Sequence, residues 1–160
     1  MKVGVIGSGG RENAICHSLK KSTKIDKIFC FPGNAGTASI AENIEFDLSD
    51  FENFKKFILK NQIDLIVVGP EKPLVDGIVD YLEKFNIKVF GPNKISSQLE
   101  GSKIFTKKIC EKFNIPTAKF GIFENKKEAK KFLQNNFVKS ITYQQLNLEY
   151  FKMKRMQKNF

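Results

Sequence analysis

The sequence contains no tryptophan, one histidine and three cysteines, and no glycine or proline follows Gly121. Each shortage excludes something. His17, the one histidine, falls on a predicted helix as a surface or packing residue, which argues against a His-dependent triad. Cys16, Cys30 and Cys110 are odd in number and lack paired spacing, so neither a disulfide framework nor a zinc site follows. Cys30 lies within a predicted strand as a small buried hydrophobe. No run of about 20 apolar residues and no signal peptide is present, which points to a cytoplasmic protein with no membrane partner. The glycine-free stretch after Gly121 cannot supply a flexible lid over phosphates.

Acidic residues are in deficit, with 17 Asp+Glu against 27 Lys+Arg and a formal net charge of +10. Residues 136–160 hold Lys139, Lys152, Lys154, Arg155 and Lys158 against Glu149, a net of +4; the remaining 22 basic and 16 acidic residues give +6. The lysines of the body are spaced as solvated helix faces without interleaved aromatics, so no nucleic-acid partner is expected. Small anionic substrates account for the positive balance. A chain of 160 residues with 41% hydrophobic content suits one domain, or one domain plus part of another.

What is present begins at once, with Val3-Gly4-Val5-Ile6-Gly7-Ser8-Gly9-Gly10-Arg11-Glu12, a short apolar strand that turns through glycines into a helical stretch. A helix start carries unpaired N–H groups and the positive end of the dipole, and Arg11 adds a planar cationic fork, so an anion is expected there. A dinucleotide fits poorly. The Rossmann fingerprint needs a third glycine where Glu12 stands and an acid after the second strand, where Phe31-Pro32-Gly33 follows instead.

Strand and helix patterns then alternate. Strands are predicted over Lys2–Ile6, Ile25–Phe31, Asn43–Phe46, Ile63–Val68 and Ile87–Phe90. Helices are predicted over Asn13–Lys21, Asp50–Asn61 (with Ser49 or Asp50 as cap) and Val75–Phe85. This order gives an α/β fold, an open and mostly parallel five-stranded sheet of Rossmann-like type. Glycine loops Gly7–Gly10, Gly33–Gly36, Gly69–Glu71 and Gly91 all fall at carboxyl ends of strands, where such sheets bind ligands. Beyond Pro92, Ile95–Phe113 reads as one or two helices broken at Gly101, Thr117–Phe123 as a strand and Asn125–Leu133 as a basic helix.

These loops resemble those of the phosphoribosylamine–glycine ligase (glycinamide ribonucleotide synthetase) family of the ATP-grasp superfamily. The resemblance is carried by Ile6–Glu12, Pro32–Thr37, Val68–Glu71 with Pro73-Leu74, Phe90–Pro92, Leu99–Lys103 and Asn114–Ala118, over residues 1 to about 135. It implies an ATP-dependent carbon–nitrogen ligase that makes glycinamide ribonucleotide, ADP and phosphate from ATP, phosphoribosylamine and glycine in purine biosynthesis. It implies that Gly9, Gly10, Arg11 and Glu12 lie near the substrate's anionic group, that Asn34, Gly36 and Thr37 supply hydrogen bonds, and that Glu71, beside Pro73, orients an amine or ribose hydroxyls. Lys103 would touch ATP phosphates. Catalytic residues and metal ligands are not assigned. Where the family has His, this chain has Asn13, which does not titrate near neutral pH.

The resemblance divides the chain into a substrate-side domain over 1–100, the start of the ATP-grasp region over 101–138, and a basic tail over 139–160 that leaves the family pattern. The family's phosphate loop and metal ligands do not occur, so ATP and Mg, cofactors of the full-length family, are not expected to bind this fragment, and inactivity alone is expected. Two origins of the tail stay open. One is a reading-frame shift near Val138-Lys139, since Gln144–Leu146 and Glu149–Phe151 can be back-translated into codons that read Ala-Ala and Gly-Val-Phe one base earlier. The other is a genuine terminus with a basic amphipathic helix around Leu146 to Met156. Alternative functions are a non-catalytic phosphoribosyl-binding module and a nicotinamide-dependent oxidoreductase.

Overall fold

The apolar run at Val3–Ile6 has no polar alternation, and a strand of that kind must be covered on both faces. It is. In the computed structural model, which describes residues 1–136, strand β1 (Lys2–Gly7) lies at the centre of a five-stranded sheet of order β3-β2-β1-β4-β5. Its neighbours β2 (Lys27–Pro32) and β4 (Leu65–Val68) and the edge strands β3 (Glu42–Asn43) and β5 (Val89–Phe90) all run parallel to it. The open parallel α/β sheet expected from the element order is therefore present.

The two-residue period of a strand sorts the core into two layers. Val3, Val5, Ile28, Cys30 and Val67 point to one face, with Cys16, Ile15 and Leu19 of α1 (Gly10–Lys20) over them. Ile6, Phe29, Phe31, Ile66 and Val68 point to the other, under Phe54 and Ile58 of α2 (Phe51–Asn61) and under Leu74, Ile78, Val79 and Leu82. Cys30 is fully buried, as its strand position predicts. Phe31 is the hub of the second layer, with ring centroids 5.1 Å from Phe54, 5.6 Å from Phe57 and 6.3 Å from Phe46, all edge-on. That arrangement sets positive ring edges against negative ring faces.

Asp50 caps α2 by accepting the Asn53 N–H at 2.9 Å. The helix predicted over Val75–Phe85 is two helices, α3 (Glu71–Asp76) and α4 (Ile78–Glu83), divided at Gly77, whose φ of 99° ends the first. Pro73 does not prevent α3, because it falls in the first turn, where no N–H partner is lost. Helices α5 (Lys94–Gly101) and α6 (Lys103–Lys112) break at Ser102, whose hydroxyl caps Phe105 N–H. The first compact unit runs from Met1 to Ile115.

A second unit begins at Pro116 and holds α7 (Lys126–Asn136). The strand expected over Thr117–Phe123 is not formed, and no regular element occurs there. A short apolar stretch becomes a strand only where a neighbouring ladder accepts it, which composition does not reveal. The basic tail over 139–160 and its expected amphipathic helix lie outside the described residues.

Replacing Phe31 by alanine should remove the hub of the aromatic layer and destabilise the protein by about 3–5 kcal/mol. Urea denaturation followed by circular dichroism measures it; a loss below about 1 kcal/mol would show that the layer closes over the cavity.

Candidate functional site

The sheet order reverses direction at β1, so the crevice between the loops after β1 and β4 is the switch point where open α/β sheets receive ligands. Both loops place charge there. Arg11, in the first turn of α1, reaches Glu71, which opens α3, with Nη2 to Oε1 at 3.4 Å. Its Nε also donates to Glu12 Oε1 at 3.1 Å. Glu12 and then Glu71 keep the Arg11 guanidinium above its ordinary pKa. Glu71 is held below the usual carboxylate range, first by its own backbone N–H at the helix start and then by Arg11.

Glu12 itself is buried, at 4% exposure. Its Oε2 accepts the Gly9 N–H at 2.7 Å, so the third helical residue closes the turn that starts α1. That bond explains why the helix begins at Gly10, three residues before the predicted start. The carboxylate fills a cradle made of backbone. A Cβ on Gly7 would meet Glu12 Cγ at 2.5 Å, one on Gly9 would meet Oε2 at 2.8 Å, and one on Gly69 would overlap Oε1. Three of the rim glycines are thus required by a side chain of the same molecule. Gly7, with φ of 129°, is fixed by backbone conformation as well. The cradle a dinucleotide's phosphates would need is filled by Glu12, which speaks against the nicotinamide alternative. Gly10 differs from these three, because a Cβ there would meet nothing within 4 Å.

The loop after β2 is equally self-contained. Asn34 Oδ1 accepts from Gly36 N at 2.8 Å and Thr37 N at 3.1 Å, while its Nδ2 donates to Ser8 O at 2.8 Å and Gly9 O at 3.2 Å. Thr37 is fully buried, and its hydroxyl accepts from Asn34 N at 2.8 Å and donates to Asn43 Oδ1 at 2.8 Å. Asn34, Gly36 and Thr37 therefore tie the β2 loop to the β1 loop. Asn43, which the sequence reading passed over, completes that knot by donating to Asn34 O at 2.8 Å. Its only signal is an amide at the start of a short strand.

The sequence-derived residues thus separate into two sets. Gly9, Gly10, Arg11 and Gly36 are exposed, and Asn34 and Glu71 are half-buried, around one end of the sheet. Glu12, Thr37 and Pro73 are buried and shape that end from beneath. Lys103, exposed at the start of α6, makes no hydrogen bond or ion pair to the rim among the described residues. Asn13 packs against Gly36, and its Oδ1 is buried without a hydrogen-bond partner.

Two outcomes test this geometry. Gly69→Ala should displace the Glu12 carboxylate and destabilise the protein by about 1–3 kcal/mol, and Glu12→Ala in the same chain should relieve part of that loss. Strict additivity in a denaturation cycle would show that the two residues do not share space. Arg11→Ala should raise the Glu71 pKa part of the way back to its ordinary range, read by NMR titration of the glutamate carboxyl carbons; an unmoved Glu71 would remove Arg11 from its surroundings.

Comparison with known proteins agrees with the fold and the loops. Residues 1–100 match the family model described as phosphoribosylglycinamide synthetase, N domain. A phosphoribosylamine–glycine ligase of Caldanaerobacter subterraneus is 48% identical over 137 residues, covering 86% of this chain and 33% of that protein. One from Clostridium acetobutylicum is 45% identical over 134 residues, covering 84% and 32%. A crystal structure of the Thermotoga maritima phosphoribosylamine–glycine ligase superposes with a TM-score of 0.62 at 29% identity, over 84% of this chain and 30% of that one. N5-carboxyaminoimidazole ribonucleotide synthetase of Thermus thermophilus shares the fold, with a TM-score of 0.60 at 15% identity. The chain spans about a third of the length of the curated relatives it matches. With its amino-terminal 100 residues matched throughout, the chain belongs to the phosphoribosylglycinamide synthetase N-domain family.

Proposed function

We propose that this chain is the substrate-side portion of a phosphoribosylamine–glycine ligase, and that its rim holds the sugar phosphate of phosphoribosylamine. The observation that carries this reading is the Arg11–Glu71 bridge across the switch point, beside a Gly10 whose Cα faces open space at the first turn of α1. The exposed first turn of α1 at Gly10 and the Arg11 fork suit an anionic group. Glu71 accepts an amine or a ribose hydroxyl. Asn34, Gly36 and Thr37 act on the ligand by fixing the β1 loop more than by touching it. Glu12 and Pro73 set the floor.

ATP and Mg serve the ligases in this reading, and the described residues do not fit them. No group of three His, Cys, Asp or Glu side chains among those residues could hold a metal ion. In this reading Lys103, exposed at the start of α6, offers a cation toward a nucleotide's phosphates. In this reading the chain by itself does not ligate glycine. Residues 101–138 are the opening of the ATP-binding region in this reading. Among the described residues no helix is long and apolar enough to cross a membrane.

Calorimetry with ribose 5-phosphate and with ATP tests the proposal. The sugar phosphate should bind, ATP should not, and Arg11→Ala should weaken the sugar phosphate at least about tenfold, the equivalent of ~1.4 kcal/mol. Glycinamide ribonucleotide formed by the isolated chain from ATP, phosphoribosylamine and glycine would refute the predicted inactivity. A sugar phosphate that binds equally well without Arg11 would move the site elsewhere.

A further inference from the structure

Helix α1 carries the charged rim, yet little holds it to the sheet. Its buried residues are Glu12 and Cys16, four positions apart and so on one stripe, with Ile15 and Leu19 partly buried beside them. A helix attached by a carboxylate and a thiol opens locally more readily than one seated on Phe54 and Ile58, as α2 is. Under α1, Cys16 meets Cys30 of β2. Both side chains are fully buried, they share one apolar layer, and their thiols are hydrogen-bond partners. No spacing motif announces this pair; the crossover from β1 through α1 to β2 brings it together.

Cys30 is tied to the rim as well. Its Sγ lies 3.6 Å from Gly7 O, in the turn that precedes α1, and its thiol also interacts with the Thr37 hydroxyl of the β2 loop. Hydrogen bonding from Cys16, with burial opposing it, and then from Thr37 holds the Cys30 thiol below its ordinary pKa. The same contact with Cys30, and then burial, push the Cys16 thiol up. The pair is polarised: Cys30 ionises first and Cys16 keeps its proton, the asymmetry of an attacking and a resolving thiol. A layer otherwise filled by Val3, Val5, Ile28 and Val67 needs neither sulfur for packing.

We propose that Cys16 and Cys30 are a redox-controlled staple, converted by a peroxide to a disulfide that fastens α1, and with it Arg11 and Glu12, to β2. Local opening of α1 admits the peroxide. The Cys30 thiolate attacks one peroxide oxygen and the O–O bond breaks, leaving a sulfenic acid on Cys30 and a hydroxide that takes up the thiol's proton as water. The Cys16 sulfur then attacks the sulfenic sulfur, the S–O bond breaks as the S–S bond forms, and the departing hydroxide leaves with the Cys16 proton as a second water. Two thiols lose two electrons and one peroxide gains them. The new bond closes a loop of 15 residues, counted from Cys16 through Cys30, and constrains a helix that has two buried side chains to hold it. A dithiol reductant reverses the step, becoming a disulfide itself as the two cysteines regain their protons. The staple stands on the two thiols and not on the ligand of the rim, so a chain that failed to bind ribose 5-phosphate could still carry it.

The complete chain with Cys110→Ala, which removes the half-buried third thiol and with it linkage between molecules, tests the staple. The folded protein is treated with hydrogen peroxide, quenched with N-ethylmaleimide and digested with trypsin. Mass spectrometry should find the peptides of Cys16 and Cys30 joined, two hydrogens lighter than their sum. Amide hydrogen exchange across Gly10–Lys20 should slow at least about tenfold on oxidation and recover with dithiothreitol. Cys16→Ala in the same background should abolish both the linkage and the slowing; should that variant not fold, the peptide masses and exchange rates of the Cys110→Ala protein decide alone. Oxidation to sulfinic or sulfonic acid without linkage, a link that forms only in denaturant, or unchanged exchange in the linked protein overturns the proposal.

Discussion

The buried carboxylate of Glu12 holds the rim together. Removing a carboxylate from water is unfavourable unless its oxygens find donors, and here Gly9 N–H and Arg11 Nε supply them at 2.7 and 3.1 Å. Those bonds set where α1 begins and hold the guanidinium over the crevice. The same carboxylate requires bare backbone at Gly7, Gly9 and Gly69, on the loops after β1 and β4. One side chain therefore links helix start, charge placement and the separation of two strands' ends.

Around that point the molecule divides its labour by layer. The α1 face of the sheet is thin and aliphatic, with the two cysteines and valines, while the opposite face carries the interlocked phenylalanines. The aromatic layer anchors the sheet. Above the strands' carboxyl ends, the Asn34–Thr37–Asn43 knot gives the β2 loop a fixed shape around a single 3-10 turn at Thr37–Ser39. Rigid loops on a rigid sheet are the condition for recognising a small ligand without a large ordering cost.

Much of this was legible in the sequence. Unbroken apolar runs identified β1 and β4 as doubly covered, and turn residues placed the glycine loops at one end. Asp50, beside Ser49, was readable as the cap of α2. What escaped was long-range. That Glu12 rather than a ligand fills the glycine cradle depends on Gly69, 57 residues further on, which no local pattern couples to it. The division at Gly77 escaped because a glycine within a periodic helix reads as tolerated until its φ is known. The strand expected at Thr117–Phe123 reflected composition alone. At the rim, the separation of exposed Arg11 and half-buried Glu71 from the self-bonded Asn34 and Thr37 needed coordinates.

The pairing of Arg11 with two acids has an electrostatic consequence. The chain as a whole is strongly cationic, yet at the crevice one guanidinium faces two carboxylates. The distant field gathers anions over the whole surface and is damped by salt within about 10 Å at 0.1 M. Under the proposed function, selection at the crevice falls to short-range geometry, which salt screens less than the distant field. Ionic strength should thus govern how often anions arrive far more than which one stays.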